Sequence, residues 1–368
     1  MDTRTGEETA KEREDDGRAA ADAGAPARPP RARPAAGRPS PQTSDLPEDG
    51  EAPLPRNPGT ELDLEVVEAV EANRSAVERR AETLGRRRSV KRAWQAAWLL
   101  RAVGFLDLTT LEGDDTPGRV RRLCAKARNP IRPDLVEALG ASDLDLRVAA
   151  VCVYGSLVPV AREALEGSGI PVASVAAGFP SGLGPFRERL EEIGRCVEAG
   201  AEEIDIVITR SRVLRGEWER LYEEVRAFRE AAGDAHLKVI LATGELGTLR
   251  NVGRASRVAM MAGADFIKTS TGKEAVNATL PVGLVMARAI REYRERTGHR
   301  VGFKAAGGIR TAKEALRWLY LVKDELGDAW LDRRLFRFGA SSLLADIERQ
   351  LEHHVTGRYS AFHRHPMA

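Results

Sequence analysis

From residue 103 onward the chain alternates short apolar runs with longer amphipathic stretches, and this alternation constrains the fold of its 368 residues more than any other feature. A short apolar run bounded by turn signals reads as a buried strand, and a 3.6-residue period after it reads as the helix that crosses back to begin the next parallel strand. Eight such cycles can be counted, with strands expected at residues 103–108, 147–153, 172–177, 203–208, 237–242, 265–269, 301–306 and 335–339. Phe186, Leu190, Ile193 and Val197 share a helical face in one crossover, and Leu246, Leu249, Val252 and Val258 share one in the next but one. Ala199-Gly200-Ala201 and Ala262-Gly263-Ala264 place a glycine where a helix C-cap needs positive φ. Eight is the number that closes the sheet, so the expected fold class is α/β, a (β/α)8 TIM barrel. An open doubly wound sheet would carry a glycine-rich turn after its first strand. Here that place holds Thr109-Thr110-Leu111-Glu112, and the glycine clusters come after the seventh and eighth strands, where barrels bind phosphate.

Ahead of the barrel (residues 102–352), two other compositions follow one another. Residues 1–60 hold ten of the nineteen prolines and almost no large apolar side chains, so they read as a disordered Pro/Ala/Arg-rich tail. Its basic stretch, residues 28–38, reads as a solvated spacer in preference to a docking element for an acidic partner. Residues 61–101 read as a helical extension packed on the barrel. Leu62, Leu64, Val67 and Val70 mark one amphipathic segment, and Trp94, Ala97, Trp98, Leu99 and Val103 a second whose aromatic stripe should cover the larger domain. Residues 353–368 form a C-terminal tail.

Charged residues inside the apolar runs are the informative anomalies, because a lone buried charge costs several kcal/mol or more. Three stand out: Asp205 in Ile204-Asp205-Ile206-Val207-Ile208, Lys268 at the end of Phe266-Ile267-Lys268, and Lys304 in Phe303-Lys304-Ala305. If all three face the interior near the C-terminal ends of the strands, they meet where barrel enzymes build active sites. A structural ion pair is the plainer reading for one Asp and one Lys, but two lysines per carboxylate leave a cation without a partner. A neighbouring positive charge disfavours the ammonium form, and a neutral amine attacks a carbonyl. The resulting iminium lets a carbon–carbon bond break without a metal. Gly272-Lys273, Gly307-Gly308 and Gly339-Ala340-Ser341-Ser342 separately suggest a phosphate site, the last at a helix N-terminus. Cys152 reads as a small buried residue lining the pocket and not as a catalytic thiolate.

These residues resemble the deoxyribose-phosphate aldolase family. The likeness is carried by Phe266-Ile267-Lys268-Thr269-Ser270-Thr271-Gly272-Lys273, Gly302-Phe303-Lys304, Gly307-Gly308, Leu106-Asp107-Leu108-Thr109-Thr110-Leu111, Ala150-Val151-Cys152-Val153-Tyr154, Leu237-Lys238-Val239-Ile240, Thr243-Gly244-Glu245-Leu246 and Phe338-Gly339-Ala340-Ser341-Ser342-Leu343-Leu344. It runs in order from about residue 88 to the end. Lys91-Arg92-Ala93-Trp94-Gln95-Ala96-Ala97-Trp98 and His353-His354-Val355-Thr356-Gly357-Arg358-Tyr359 are similar to the animal-type branch. Ala305 stands where many members have proline. A C-terminal tyrosine reaches the site in some members, whereas here Tyr359 precedes nine further residues.

The resemblance implies a lyase that reversibly cleaves 2-deoxy-D-ribose 5-phosphate to D-glyceraldehyde 3-phosphate and acetaldehyde, in deoxyribonucleotide and carbohydrate catabolism. By it, Lys268 forms the Schiff base, Lys304 tunes it, and Asp205 is the acid/base carboxylate. Gly272, Lys273, Gly307, Gly308, Gly339, Ser341 and Ser342 would hold phosphate. Asp107, Thr109, Cys152, Lys238 and Thr269 belong to the expected substrate pocket; Asp107 and Thr109 contact substrate or order Lys273, and Lys238 is alternatively a member of an internal ion network. Other readings are a Schiff-base barrel aldolase with a ketose phosphate donor and an idle barrel used as a scaffold. No cofactor or metal is called for. The partner is a phosphorylated sugar; a net charge of +2 gives no argument for nucleic acid or membrane, and self-association as a homo-oligomer stays open. Three scattered cysteines, no secretory signal and no membrane-length apolar run point to the cytoplasm.

Overall fold

The structure, a computed structural model, describes residues 54–87, 89–361 and 364–365, so most of the expected disordered tail lies outside the described residues. Three helices come first: α1 (Leu64–Glu68), α2 (Arg74–Arg87) and α3 (Ala93–Val103). Then β1 (Leu106–Thr109) leads through α4 (Pro117–Arg128) and α5 (Pro133–Ala138) to β2 (Ala150–Tyr154), and α6 (Val158–Leu165) leads to β3 (Val172–Ala176). Next come α7 (Phe186–Glu198), β4 (Glu203–Val207), α8 (Arg210–Arg215), α9 (Trp218–Ala232), β5 (His236–Ile240), α10 (Leu249–Met261) and β6 (Phe266–Lys268). The chain ends with α11 (Leu280–Thr297), β7 (Gly302–Ala306), α12 (Ala312–Glu325), β8 (Phe336–Ala340) and α13 (Leu343–Thr356). The strands pair in parallel in sequence order, and β1 closes on β8, a TIM barrel.

All eight expected strands exist, each shifted by at most three residues at either end. Val103, expected to open the first, instead ends α3, where it belongs to the helix's buried face with Leu99, Leu100 and Ala102. Gly200 and Gly263 carry φ of 100° and 96°, as a helix exit with no Cβ penalty allows. Two packing expectations need correction. Trp94 does not cover the barrel: it is 73% exposed, and Trp98 alone of the pair packs inward, 5.8 Å from the Tyr320 ring. On α7 the buried face is Arg189, Ile193 and Cys196, while Phe186 leans half-exposed on Phe228. Arg189 is tolerated there because its guanidinium donates to the carbonyls of Ala177 and Val207 and pairs with Glu224 at 2.6 Å.

The expected tail boundary at residue 60 also moves. Asn57 is buried, its Nδ2 donating to the carbonyl oxygens of Met260 at 2.8 Å and Ala264 at 2.9 Å. Its Oδ1 accepts from Tyr293 Oη at 2.9 Å, and its backbone N–H donates to Asp265. Composition alone hides such an anchor, because one buried amide with every valence satisfied binds a segment that has no apolar pattern. Replacing Asn57 by alanine strands these partners. We expect Asn57→Ala to lower the unfolding free energy in urea by about 2 kcal/mol, while activity per folded molecule is unchanged.

Candidate active site

Side chains two residues apart on a strand share a face, so Glu203 and Asp205 both project from β4 into the barrel interior. Cross-strand register places their neighbours. Asp205 lies opposite Lys238 on β5, Lys268 on β6 lies opposite Lys304 on β7, and Lys304 opposite Arg337 on β8. Asp107 enters from β1. Charged interruptions of the strands therefore number seven, not three: three carboxylates and four cationic groups, all buried.

Six of the seven close a ring of alternating sign. Arg337 pairs with Asp107 at 2.5 Å, Asp107 with Lys304 at 2.5 Å, and Lys304 with Asp205 at 2.8 Å. Asp205 pairs with Lys238 at 2.9 Å, Lys238 with Glu203 at 2.5 Å, and Glu203 with Arg337 at 3.0 Å. Lys268 hangs outside this ring. Its Nζ donates to Asp205 Oδ2 at 2.8 Å, the same oxygen that Lys304 holds. Lys268 thus has one shared carboxylate where every other cation has at least two.

Protonation follows partner number. Burial, and then the charge of Lys304, push the Lys268 ammonium below its usual range against the pull of Asp205. Burial acts the same way on Lys304, but Asp107 and Asp205 outweigh it and hold that group above its ordinary value. Burial would raise Asp205, yet Lys238, Lys268 and Lys304 together hold it well below the usual carboxylate range. Repulsion between the two lysines is mutual, but the net shifts differ, because Asp107 and Asp205 hold Lys304 above its ordinary value.

Above the ring the C-terminal ends of the strands open on a cleft of about 450 Å³. Lys268 reaches it, as do Thr109 and all seven residues expected at a phosphate: Gly272, Lys273, Gly307, Gly308, Gly339, Ser341 and Ser342. Gly307 and Gly308 have φ of 84° and 81°, a backbone that side chains resist, and α13 points its N-terminus into the cleft from Ser342. Some donors there are already engaged. Lys273 is held by both oxygens of Glu112 at 2.9 Å, and the Gly272 N–H donates to Glu274. Among the described residues no group of His, Cys, Asp and Glu side chains is arranged to hold a metal ion.

Several expected pocket residues sit elsewhere. Asp107 lies in the ring, fully buried, and does not order Lys273, which Glu112 holds; Lys238, also fully buried, takes its alternative place in the internal ion network. Thr269 ties β6 to β7, its hydroxyl donating to the Ala306 carbonyl at 3.0 Å and accepting from the Ala306 N–H at 2.9 Å. Cys152 is buried among Leu111, Ala173 and Val175, where burial and the nearby Asp205 push its thiol pKa up. Tyr359 stacks on His353 at 4.1 Å beyond the C-terminus of α13. That helix starts at the cleft and runs some 20 Å back along the barrel, so Tyr359 is at the opposite end. Glu203, Arg337, Glu112 and Glu274 were not anticipated. The first two carry the same signal as Asp205, a charge on the inward phase of a barrel strand; the loop carboxylates carry none.

A closed parallel barrel with a lysine at the mouth of an internal ion cluster has the parts that carbonyl chemistry of the aldolase kind needs. Residues 103–349 match the model of the DeoC/LacD family aldolases. A deoxyribose-phosphate aldolase of Homo sapiens is 62% identical over 314 residues, covering 85% of this chain and 99% of its own. One of Mus musculus is 64% identical over 312 residues, covering 84% and 98%. The tetrameric structure of a deoxyribose phosphate aldolase from Aeropyrum pernix shares the fold, with 22% identity, a TM-score of 0.54, and coverage of 78% of this chain and 100% of that one. The chain belongs to the DeoC/LacD aldolase family.

The ring also bears on the backbone beside it. A Cβ at Gly339 would lie 2.7 Å from Ala306 Cβ and 3.2 Å from Lys304 Cε. Gly339→Ala is expected to cost about 1–3 kcal/mol of overpacking strain and, by displacing Lys304, to reduce kcat roughly tenfold or more while circular dichroism stays native.

Proposed function

We propose that the protein catalyses the reversible cleavage of 2-deoxy-D-ribose 5-phosphate to D-glyceraldehyde 3-phosphate and acetaldehyde, with Lys268 as the Schiff-base residue. One observation carries the assignment of Lys268: of the four cations of the ion cluster it alone both lines the cleft and shares its carboxylate oxygen with a second lysine. The neutral Nζ attacks the C1 aldehyde, and loss of water leaves an iminium. Electrons of the C2–C3 bond flow to that iminium as the C3 hydroxyl proton leaves to water and towards the Asp205 carboxylate. Glyceraldehyde 3-phosphate departs, and the remaining enamine is protonated at C2 and hydrolysed to acetaldehyde. Asp205, as an anion 2.8 Å from Nζ, stabilises the positive charge that appears there. Lys304 stays protonated and disfavours the ammonium form of Lys268 before reaction.

The substrate's phosphate sits at Gly307, Gly308, Ser341 and Ser342 and at the N-terminus of α13, with Lys273 turning to it from Glu112. The same reading places the enzyme in deoxyribonucleotide and carbohydrate catabolism in the cytoplasm, without nucleic acid as a partner and with self-association as a homo-oligomer. Among the described residues no helix is long and apolar enough to cross a membrane.

Borohydride reduction with substrate, followed by peptide mass mapping, should fix a two-carbon adduct on Lys268. Lys268→Arg should lose it and fall on the order of a thousandfold or more in kcat. Because the Lys268 pKa is lowered, the amine fraction rises as pH rises through it, so kcat/KM should fall on the acid side with a single protonation at Lys268. A trapped adduct on any other lysine overturns the assignment.

A further inference from the structure

Arg337 is a ring member with no part in the chemistry above, a guanidinium buried at the far side of the cluster from Lys268. Its placement is well defined. It forks between Asp107 and Glu203, lies over the Phe266 ring at 5.7 Å, and donates from Nε to the Arg333 carbonyl. From it two chains of contacts run to the same carboxylate. One passes through Asp107 and Lys304, the other through Glu203 and Lys238, and both end on Asp205, which holds Lys268.

We propose that Arg337 is a positioning residue whose permanent charge completes the cation count of the ring and thereby leaves Lys268 as the surplus cation, free to exist as an amine. The reasoning is a charge count in a medium where counts matter. Three buried carboxylates are balanced by three cations. An arginine cannot give up its proton, and Lys238 and Lys304 each face at least two carboxylates, so those three stay charged. The fourth cation is in excess, and the cluster sheds charge most easily at the group with the fewest partners, Lys268. Without the guanidinium charge, three carboxylates would face only three lysines, and Lys268 would become a required counter-ion.

Among the described residues, the elements packed about Lys268 supply Asp205 and Glu203, Lys304, Lys238, Asp107, Arg337, and Cys152, whose thiol burial pushes up. The cleft it lines adds Arg310, the pair Lys273–Glu112, and Arg119, which Asp114 and Asp115 hold. His236, beside Glu203, is pushed by burial to about 4 and is uncharged near neutrality. The inference rests on Lys268 being the reacting amine, but its electrostatic content can be read without turnover.

Competitive trace acetylation across pH, with peptide mass mapping, titrates the Lys268 amine in the full-length protein. Arg337→Met should move that titration alkaline by about one pH unit, the size expected of a unit charge in a medium of effective dielectric near 20. Glu203→Gln, which removes a negative charge, should move it acid by a similar amount. Arg337→Met combined with Glu203→Gln should return it to the wild-type position, and Arg337→Lys should leave it there. Opposite shifts that cancel are not what a packing defect produces. If Arg337→Met coincides with wild type, or both single variants shift the same way, the proposal is wrong. If Arg337→Met does not fold, an alkaline shift or none in Glu203→Gln overturns it equally. If the titrations move as stated but borohydride with substrate marks another lysine, the charge count stands and the assignment of Lys268 to the chemistry fails.

Discussion

Two ammonium groups share a single oxygen, Oδ2 of Asp205, and the arrangement of the barrel interior depends on that sharing. An ion pair inside a protein is satisfied when each charge has its own partner. Here one partner serves two cations, so one of them must be under-compensated. The ring decides which. Lys304 is also held by Asp107, and Lys238 by Glu203, so the deficit falls on Lys268, at the cleft. Burial lowers the pKa of that amine first and the charge of Lys304 adds to it, and with only one shared carboxylate Lys268 lacks the partners that offset burial at Lys304 and Lys238.

That arrangement requires rigid strands, because an extra cation would relax if its neighbours could move. The parallel register Asp205↔Lys238 and Lys268↔Lys304 sets the side chains side by side, and a closed sheet has no edge along which the register can slip. Beside the ions, Cys152, Ala173 and Val175 of β2 and β3 form a buried apolar patch, with Val175 in register with Asp205, and charges so buried feel one another strongly. Thr269 fastens β6 to β7 just beyond the two lysines, which keeps their separation fixed where the strands end.

The fold was legible because eight parallel strands buried on both faces leave an apolar run that nothing else in the chain imitates. Asp205, Lys268 and Lys304 were legible for the same reason, as charges that such runs should not contain. Arg337 carries an equal signal but stands between Phe336 and Phe338, an alternation that also describes a half-exposed strand. Asp107 was noticed and placed too near the cleft, and Lys238 was left open between the pocket and an internal ion network, where it lies. A strand's period of two tells which face a side chain takes but not how far along the barrel axis it sits, so residues of the ring and of the cleft look alike. Asn57 and Glu112 lie in segments without any period, where a hydrogen bond to a distant element leaves no trace in local composition. Trp94 failed differently: helical spacing groups residues on a face, but it does not say that the face meets the barrel along its whole length.

The cleft repeats the logic of the ring with softer parts. Lys273, one of its cationic side chains, pairs with Glu112, and the Gly272 N–H donates to Glu274. Both carboxylates stand in loops, and the Glu112–Lys273 pair is substantially exposed, so exchanging such a carboxylate for a phosphate costs little compared with opening the ring. On the proposed reading, an arriving phosphate competes with groups the protein can release, while Asp107, Glu203 and Asp205 are buried beneath. The two layers use charge for different ends. The buried layer cannot rearrange and so keeps one amine in excess, and the outer layer can rearrange and so admits the substrate's own charge without disturbing that count.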